Sequence, residues 1–293
     1  MKKMKEAINY FKLNVQSIEC VPESYGSEVY KLTLINKESL YIKIPYSKVK
    51  LYREYAVLNQ LRKIVRVPEI LGFWEGNEEM TGAFLLEDLK GVPCNKKISV
   101  ELAYDIGIHH AKIHSVSMES YGNFTEDGFE ALKPHDWPAF VRDKFFDFAP
   151  SVKEVLSADL YEKSIRHFEE HIKALPAPEP PAIIHMDFRP GNILVNNNYV
   201  VGIIDFESSR SAATEMDFTK INRDIFKKYP NTKEAYIEGY ETIRPIIDLD
   251  RILPFYAFYD AFNSIGWSYN RGLEKHKGFF EENLVILKSF IEK

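Results

Sequence analysis

Two short segments of the chain carry the residue types that phosphoryl transfer requires. Residues 183–195 read IIHMDFRPGNILV and residues 202–207 read GIIDFE, so polar residues follow short apolar runs with strand character. Asp187, early in the first loop, can accept the proton of an attacking hydroxyl, and Asn192 can reach a metal from the same loop. Asp205, after the second run, supplies the hard oxygen that Mg²⁺ prefers. The pattern predicts a site that holds a nucleotide, magnesium and a hydroxyl in line.

The pattern His-x-Asp-x-x-x-x-Asn at 185–192, followed by Ile-Asp-Phe at 204–206, resembles the catalytic and metal loops of the aminoglycoside phosphotransferase and choline kinase superfamily. That superfamily shares a two-lobed fold with the protein kinases, whose H-R-D-x-x-x-x-N and D-F-G segments match these loops. Met186 stands where protein kinases usually have Arg, and Glu207 replaces the glycine of D-F-G. These departures favour the small-molecule branch. Each segment alone is a common short pattern, so the resemblance depends on their combined spacing.

The resemblance implies a role for each polar residue of the two loops. Asp187 is the implied catalytic base, Asn192 and Asp205 are implied magnesium ligands, and His185 braces the loop. Arg189 stands where serine/threonine protein kinases have a lysine on the γ-phosphate, which implies that it stabilises charge on the transferred group.

Three more acidic residues follow the catalytic loop. The resemblance implies that Glu207 contacts metal or substrate and that Asp217 holds this segment together. Asp260 is expected to bind an amine of the acceptor, because acidic residues near the C-terminus often do so in aminoglycoside kinases. The neighbours of Asp260 either wall an acceptor pocket or, as helical spacing more often indicates, pack in the core: Tyr256, Tyr259, Asn263, Trp267 and Tyr269.

The implied fold is α+β with two lobes. Residues 1–90 would form the N-lobe, an antiparallel sheet with one main helix, and residues 91–293 a larger, mostly helical C-lobe. Alternation and turn residues predict the N-lobe strands, and helical spacing predicts a helix with one buried stripe of Leu51, Tyr55, Leu58, Leu61 and Ile64. These elements are strands at 29–35, 40–44, 70–74 and 82–86, and a helix at 51–64.

Lys43 and Glu54 match the kinase pair in which a strand lysine reaches the α/β-phosphates and a helix glutamate holds it. Without the downstream loops, they would be interpreted as a surface lysine and a solvated glutamate. Gly26 and Ser27 lie in the predicted phosphate-covering loop at 23–30, which has one glycine and alone would be a hairpin turn.

The segment 85–91 is the implied hinge between the lobes. Adenine would be bound there by the main-chain carbonyl of Glu87 and the amide of Leu89, although a simple strand-to-loop transition describes the segment equally well.

The C-lobe is expected to begin with a helix capped by Ser99 and ending near His114. His110 and His114 are four residues apart and could chelate zinc, but no Cys or HExxH glutamate accompanies them, so packing is the preferred interpretation. The aromatic segment 137–148 is expected in the core, and the proline-rich segment 175–181 as a rigid connector.

Composition indicates an ordinary globular protein. The 293 residues are 45% hydrophobic and 28% charged, with a formal net charge of -5, which argues against nucleic acid as a partner. Cys20 and Cys94 form no disulfide framework, and the N-terminus does not resemble a signal peptide, so a cytoplasmic location is expected. No apolar run approaches the ~20 residues of a membrane span.

The sequence therefore predicts an enzyme that transfers the γ-phosphate of ATP or GTP, with Mg²⁺, to a hydroxyl of a small molecule. An aminoglycoside-like acceptor is the first hypothesis, with a choline, homoserine, thiosugar or fructosamine type of metabolite kinase as the alternative. A non-catalytic nucleotide-binding scaffold of the same superfamily is a hypothesis of another class. Protein-kinase activity is disfavoured, because no Ala-Pro-Glu segment follows Asp205. Oligomeric state is not predicted.

Overall fold

The computed structural model describes residues 2–22, 26–95, 97–133 and 136–292. The strands are β1 (Val15–Cys20), β2 (Ser27–Leu34), β3 (Ser39–Pro45), β4 (Ile70–Trp74), β5 (Ala83–Glu87), β6 (Val92–Pro93), β7 (Gly122–Thr125), β8 (Gly128–Ala131), β9 (Ala182–Ile184), β10 (Ile193–Asn196), β11 (Tyr199–Ile203) and β12 (Arg210–Ala212). The helices are α1 (Lys2–Tyr10), α2 (Lys48–Leu61), α3 (Val100–His114), α4 (Trp137–Lys153), α5 (Ala158–His171), α6 (Phe218–Ile221), α7 (Lys233–Glu241), α8 (Leu249–Arg271) and α9 (Lys277–Ile291).

An antiparallel five-stranded sheet, in the order β1-β2-β3-β5-β4, forms the smaller lobe. The β2–β3 hairpin aligns Val29 with Lys43, which fixes Lys43 near the open end of the hairpin. All four predicted N-lobe strands are confirmed to within about two residues. Helix α2 packs beside this sheet and begins at Ser47, whose hydroxyl accepts a hydrogen bond from the amide of Lys50.

The predicted buried stripe of α2 is partly wrong. Leu51, Leu58 and Leu61 are buried, but Tyr55 is 37% exposed and Ile64 is 41% exposed. The helix ends at Leu61, so Ile64 lies beyond it. Glu54 lies on the buried face instead. Its polarity predicts an exposed position, because a buried carboxylate is costly unless it has a buried partner.

The larger lobe is mostly helical and carries two small sheets, ordered β11-β10-β6 and β8-β7-β12-β9. Helices α3 and α7 lie so close at Gly107 that their backbones are in contact. A Cβ on Gly107 would lie 2.1 Å from the carbonyl oxygen of Tyr236. Ser99 caps α3, as predicted, through its hydroxyl and the amide of Leu102.

An aromatic core joins α4, α5 and α8. The ring of Phe145 stacks 3.8 Å from that of Phe168 and 4.0 Å from that of Phe262, measured between centroids. Trp137 and Phe145 are buried in the core, as predicted for the segment 137–148. Phe140 and Phe148 of the same segment line an open cavity instead. Among the described residues, no helix is both long and apolar enough to cross a bilayer.

Candidate active site

The loop that follows β9 is fixed by Asp217. The backbone amides of His185 and Met186 donate hydrogen bonds of 2.6 Å to its two carboxylate oxygens. Met186 has a φ of +70°, a left-handed conformation that these bonds stabilise. Burial would raise the pKa of Asp217, but hydrogen bonds from His110 and His114 hold it well below its usual range. Asp217 therefore remains ionised and occupies the structural position that the sequence predicted.

His110 and His114 complete this buried network. The Nε2 atoms of both rings lie 3.2 Å from Oδ2 of Asp217, and their Nδ1 atoms contact the hydroxyls of Tyr236 and Tyr240. Burial lowers the pKa of His110 to about 3, so the ring is neutral at neutral pH. Since every ring nitrogen has a protein partner, the pair serves packing, in agreement with the preferred interpretation.

The carboxylate of Asp187 is oriented by two donors from its own loop. Asn192 Nδ2 donates 2.9 Å hydrogen bonds to the backbone carbonyl and to Oδ2 of Asp187, and Arg189 Nε donates a third of 2.9 Å to Oδ2. His185 Nε2 lies 2.9 Å from the carbonyl of Ile204, which ties this loop to the segment before Asp205. Asp187 remains about one third exposed, with its carboxylate at an open cavity.

Lys43 lies at the centre of three carboxylates. Its Nζ is 2.7 Å from Oε2 of Glu54, 2.6 Å from Oδ1 of Asp205 and 3.6 Å from Oε2 of Glu207. Burial would lower the pKa of Lys43, but the three carboxylates raise it well above its usual value. Burial raises the pKa of Glu54 to about 7 although Lys43 opposes this shift. The pair expected from the resemblance is thus brought together, and Asp205 joins it.

The oxygen atoms beside Lys43 fit a hard divalent cation. The carboxylate oxygens of Glu54, Asp205 and Glu207 lie within 4.8 Å of one another, and Asn192 commits its Nδ2 to Asp187, which leaves its Oδ1 as a possible ligand. Glu207 Oε2 is buried without a hydrogen-bond partner among the described residues. Asp205 has a φ of +71°, which turns the chain sharply after β11. Carboxylate and amide oxygens are what Mg²⁺ prefers, so these residues suit a magnesium ion.

The phosphate-covering loop is described only from Gly26, because 23–25 lie outside the described residues. A Cβ on Gly26 would fall 1.6 Å from Glu207 Oε1 and 2.5 Å from Lys50 Nζ, so a larger residue there would have to displace both side chains. Ser27 is buried at the start of β2. Sequence reasoning missed Lys50, which pairs with Glu207 at 2.7 Å, because nothing local distinguishes it from a solvated helix lysine.

The predicted hinge at 85–91 begins within β5 and continues past its end. The amide of Glu87 donates to the carbonyl of Glu69, and its side chain pairs with Arg66. Leu89 is buried and packs against Gly202, where a Cβ would lie 2.3 Å from Leu89 Cδ1. These contacts fix the segment between the lobes.

A cavity of about 800 Å³ joins the two carboxylates Asp187 and Asp205 to α4 and α8. Tyr259, Asn263 and Trp267 line it, as one of the two sequence interpretations expected. The same interpretation is wrong for two residues: Tyr256 is buried and bonds to Trp137, and Tyr269 does not line the cavity.

Asp260 also lines this cavity, but its charge is compensated. Lys220 Nζ lies 2.9 Å from Oδ1, and Arg223 lies 3.5 Å from Oδ2. Arg223 and Lys228 in turn pair with Asp224. The expectation of a carboxylate available to an amine did not include these cations. Lys220 lies on α6, which packs against α8 and so brings it to Asp260.

Comparison with known proteins places this site in a family. The profile described as the phosphotransferase enzyme family matches residues 19–255. A homoserine kinase of Granulibacter bethesdensis (strain ATCC BAA-1260 / CGDNIH1) is 26% identical over 164 residues, which are 53% of this chain and 48% of that protein. The chain thus aligns with about half the length of this curated relative.

Solved structures share the whole fold. A thermostable mutant of aminoglycoside phosphotransferase APH(4)-Ia, in ternary complex with ADP and hygromycin B, aligns with a TM-score of 0.75 at 13% identity over 100% of this chain and 98% of that one. The GDP and kanamycin complex of APH(2")-IIIa aligns with a TM-score of 0.73 at 13% identity over 98% and 97%. These similarities confirm the predicted two-lobed, protein-kinase-like fold, and the profile match over 19–255 shows that the chain belongs to the phosphotransferase enzyme family.

Proposed function

We propose that the protein transfers the γ-phosphate of ATP or GTP, with Mg²⁺, to a hydroxyl of a small molecule. The observation that carries this proposal is the common cavity of Asp187 and Asp205, with Asp187 oriented by Arg189 and Asn192. A catalytic base and a metal-binding carboxylate on one cavity are what in-line phosphoryl transfer requires. In such a transfer the hydroxyl oxygen bonds to the γ-phosphorus, the nucleoside diphosphate leaves, and the hydroxyl proton passes to Asp187.

Other residues of the site would stabilise charge. Arg189 lies next to Asp187 and would offset negative charge on the transferred group. Lys43, held by Glu54, would bind the α/β-phosphates. Asn192, Asp205 and Glu207 would hold magnesium, which when bound would offset the negative charge of the phosphates. Because Lys43 contacts Asp205 at 2.6 Å, nucleotide binding would require the two side chains to exchange partners.

The nucleotide would lie between the N-lobe, residues 1–90, and the C-lobe, residues 91–293. The carbonyl of Glu87 and the amide of Leu89 would bind the base, and the backbone at Gly26 and Ser27 would cover the phosphates. Similar structures are complexes with ADP, AMP-PNP or GDP, which supports a nucleotide with either adenine or guanine as its base. We place this activity in the cytoplasm, where unpaired Cys20 and Cys94 would persist as thiols.

For the acceptor, the paired state of Asp260 favours a metabolite over an aminoglycoside. A polycation gains most from carboxylates that lack a cationic partner, whereas Asp260 and Asp224 are both neutralised within the cavity wall. The partial match to a homoserine kinase supports the same choice. An aminoglycoside remains the second candidate, because similar structures contain hygromycin B or kanamycin.

A coupled assay of nucleoside diphosphate release tests the proposal. The purified protein would be incubated with Mg²⁺ and ATP or GTP, against aminoglycosides, choline, homoserine and sugars. Release that requires both an acceptor and Mg²⁺ is the expected result. Binding of Mg²⁺–nucleotide without turnover of any acceptor, and an unchanged cellular role of Asp187→Asn, would instead support a scaffold.

A further inference from the structure

Arg210 is a cation of the cavity wall that has no role in the phosphoryl transfer proposed above. It begins β12 and lines the cavity together with Phe140 and Tyr259. Its guanidinium lies over the ring of Phe140, with 5.3 Å from Cζ to the centroid. Sequence reasoning missed it because it lies outside both kinase-like loops.

Arg210 is not engaged by a carboxylate of the described residues, unlike Arg189 and Arg223 of the same cavity. Arg189 pairs with Asp187, and Arg223 pairs with Asp224 and Asp260. The Nε of Arg210 is buried and has no hydrogen-bond partner in the described part of the chain. A buried donor without a partner costs about 1 to 3 kcal/mol. Stacking on Phe140 does not satisfy this donor, because stacking uses the face of the guanidinium.

The surroundings of Arg210 favour the binding of an anion beside it. Arg53 lies nearby, and its own Nε is also buried without a partner among the described residues. Burial, reinforced by Arg53, lowers the pKa of Arg210 to about 10, so it still carries its charge at neutral pH. The acids across the cavity, Asp224 and Asp260, are held by their own cations.

Strand pairing places Arg210 next to the catalytic loop. β12 runs antiparallel to β9, with Arg210 opposite Ile184, and Asp187 follows three residues after Ile184. The neighbouring Ser211 is buried and bonds to the carbonyl of Ser120, whereas Arg210 lines the cavity. A small molecule whose anionic group contacts Arg210 can therefore extend towards Asp187 within one cavity.

We infer that Arg210 binds an oxyanion of the acceptor, so that the acceptor is a small alcohol bearing a carboxylate or a phosphate. This inference rests on the proposed kinase function, since it assigns a further residue of the same acceptor site. An arginine fork suits either group, because two parallel N–H donors match two oxygens of a planar carboxylate or of a phosphate.

Matched acceptors separate the anionic group from the rest of the molecule. L-Homoserine carries a carboxylate, L-homoserinamide keeps the hydroxyl and ammonium but loses that negative charge, and glycerol phosphate offers a phosphate. Choline and kanamycin serve as cationic acceptors. The inference predicts that the wild type prefers homoserine over its amide, or glycerol phosphate over glycerol, in kcat/KM. A preference for choline or kanamycin over all anionic alcohols would overturn it.

Two substitutions test the residue itself. Arg210→Met should lower kcat/KM for the anionic acceptor by roughly ten- to a hundred-fold, mainly through KM, and leave the neutral analogue within about twofold. Arg210→Lys should recover part of the loss, because it keeps the charge but not the fork. The matched control is Arg251→Met, an exposed arginine on α8. Equal losses for charged and neutral acceptors would overturn the inference, and Arg210→Lys provides the same comparison if Arg210→Met does not fold.

A binding measurement separates failure of this inference from failure of the kinase proposal. Trp267 lines the cavity, so its fluorescence can report ligands without turnover, with Trp267→Phe identifying its signal. If no acceptor is phosphorylated, quenching by homoserine or glycerol phosphate that Arg210→Met abolishes would still uphold the anion site. Quenching that is equal for homoserine and homoserinamide, or that Arg210→Met leaves intact, would refute it.

Discussion

Lys43 Nζ lies 2.6 Å from Asp205 Oδ1, so a strand of the smaller lobe is joined directly to the segment that follows β11 in the larger lobe. The same ammonium contacts Glu54 Oε2 at 2.7 Å. The two carboxylates are close enough to repel each other, and Lys43 offsets that repulsion. Lys43 therefore stabilises the buried carboxylates and, under the proposed function, also binds the nucleotide, and substitution can separate these two roles.

Replacing Lys43 by Met should reduce both properties. It removes the cation that is proposed to bind the phosphates, and we expect kcat/KM to fall roughly 100- to 1,000-fold. It also leaves Glu54 buried beside Asp205 without a counter-charge, which should cost about 3 kcal/mol in the free energy of unfolding. Steady-state kinetics and urea unfolding measure the two effects.

The double variant Lys43→Met/Glu54→Gln is the matched control for that experiment. Without the carboxylate of Glu54, most of the lost stability should return, whereas turnover should stay low. Recovery of turnover in the double variant would contradict the assignment of Lys43 to the phosphates.

Asp217→Asn tests the network beneath the catalytic loop. Asp217 Oδ1 accepts from Met186, and Oδ2 accepts from His185, His110 and His114. An asparagine would replace one of these acceptor oxygens by an NH₂ group, which cannot accept a hydrogen bond from the donors that face it. We expect a loss of about 3 kcal/mol in unfolding free energy. Asp250→Asn removes a carboxylate that is 85% exposed and should cost less than about 1 kcal/mol. Similar small losses in both variants would contradict the structural role of Asp217.

Glu215 should make stability depend on pH. It is buried, and burial raises its pKa from 4.5 to about 7. Because the pKa of Glu215 is higher in the folded than in the unfolded state, the protonated carboxyl contributes its full stability below pH 4.5. This contribution is lost as the pH rises through about 7. Between pH 5 and pH 8, the wild type should therefore lose about 2 to 3 kcal/mol relative to Glu215→Gln. Glu162→Gln, at an exposed position on α5, should parallel the wild type. Parallel curves for Glu215→Gln would refute the prediction.

Local patterns in the sequence predicted four N-lobe strands and the helices α2 and α3, whereas the two-lobed arrangement was implied by the family resemblance. Alternating residues located β2 and β3, and the Ser99 cap located the start of α3, because these signals act over a few neighbouring residues. Tyr55 was assigned to the buried face of α2, because hydrophobicity alone cannot recognise a buried Glu54 whose partner is Lys43.

The candidate site was predictable where spacing along one loop determines it. Asp187 and Asn192 are five residues apart and bond to each other. The cations that hold Asp260 could not be foreseen, because Lys220 is 40 residues away and reaches it only through packing of α6 and α8. Arg210 likewise became visible only when pairing of β12 with β9 placed it on the cavity.

Transfer of label from the γ-phosphate of ATP or GTP to an acceptor tests the central claim most directly. Mass spectrometry would follow the acceptor after incubation with Mg²⁺ and the wild type, Asp187→Asn or the exposed-site control Arg251→Met. The account predicts a phosphorylated acceptor with the wild type and the control, and at least a roughly 100-fold slower reaction with Asp187→Asn while its unfolding midpoint is unchanged. An Asp187→Asn variant that transfers label at the wild-type rate would contradict it.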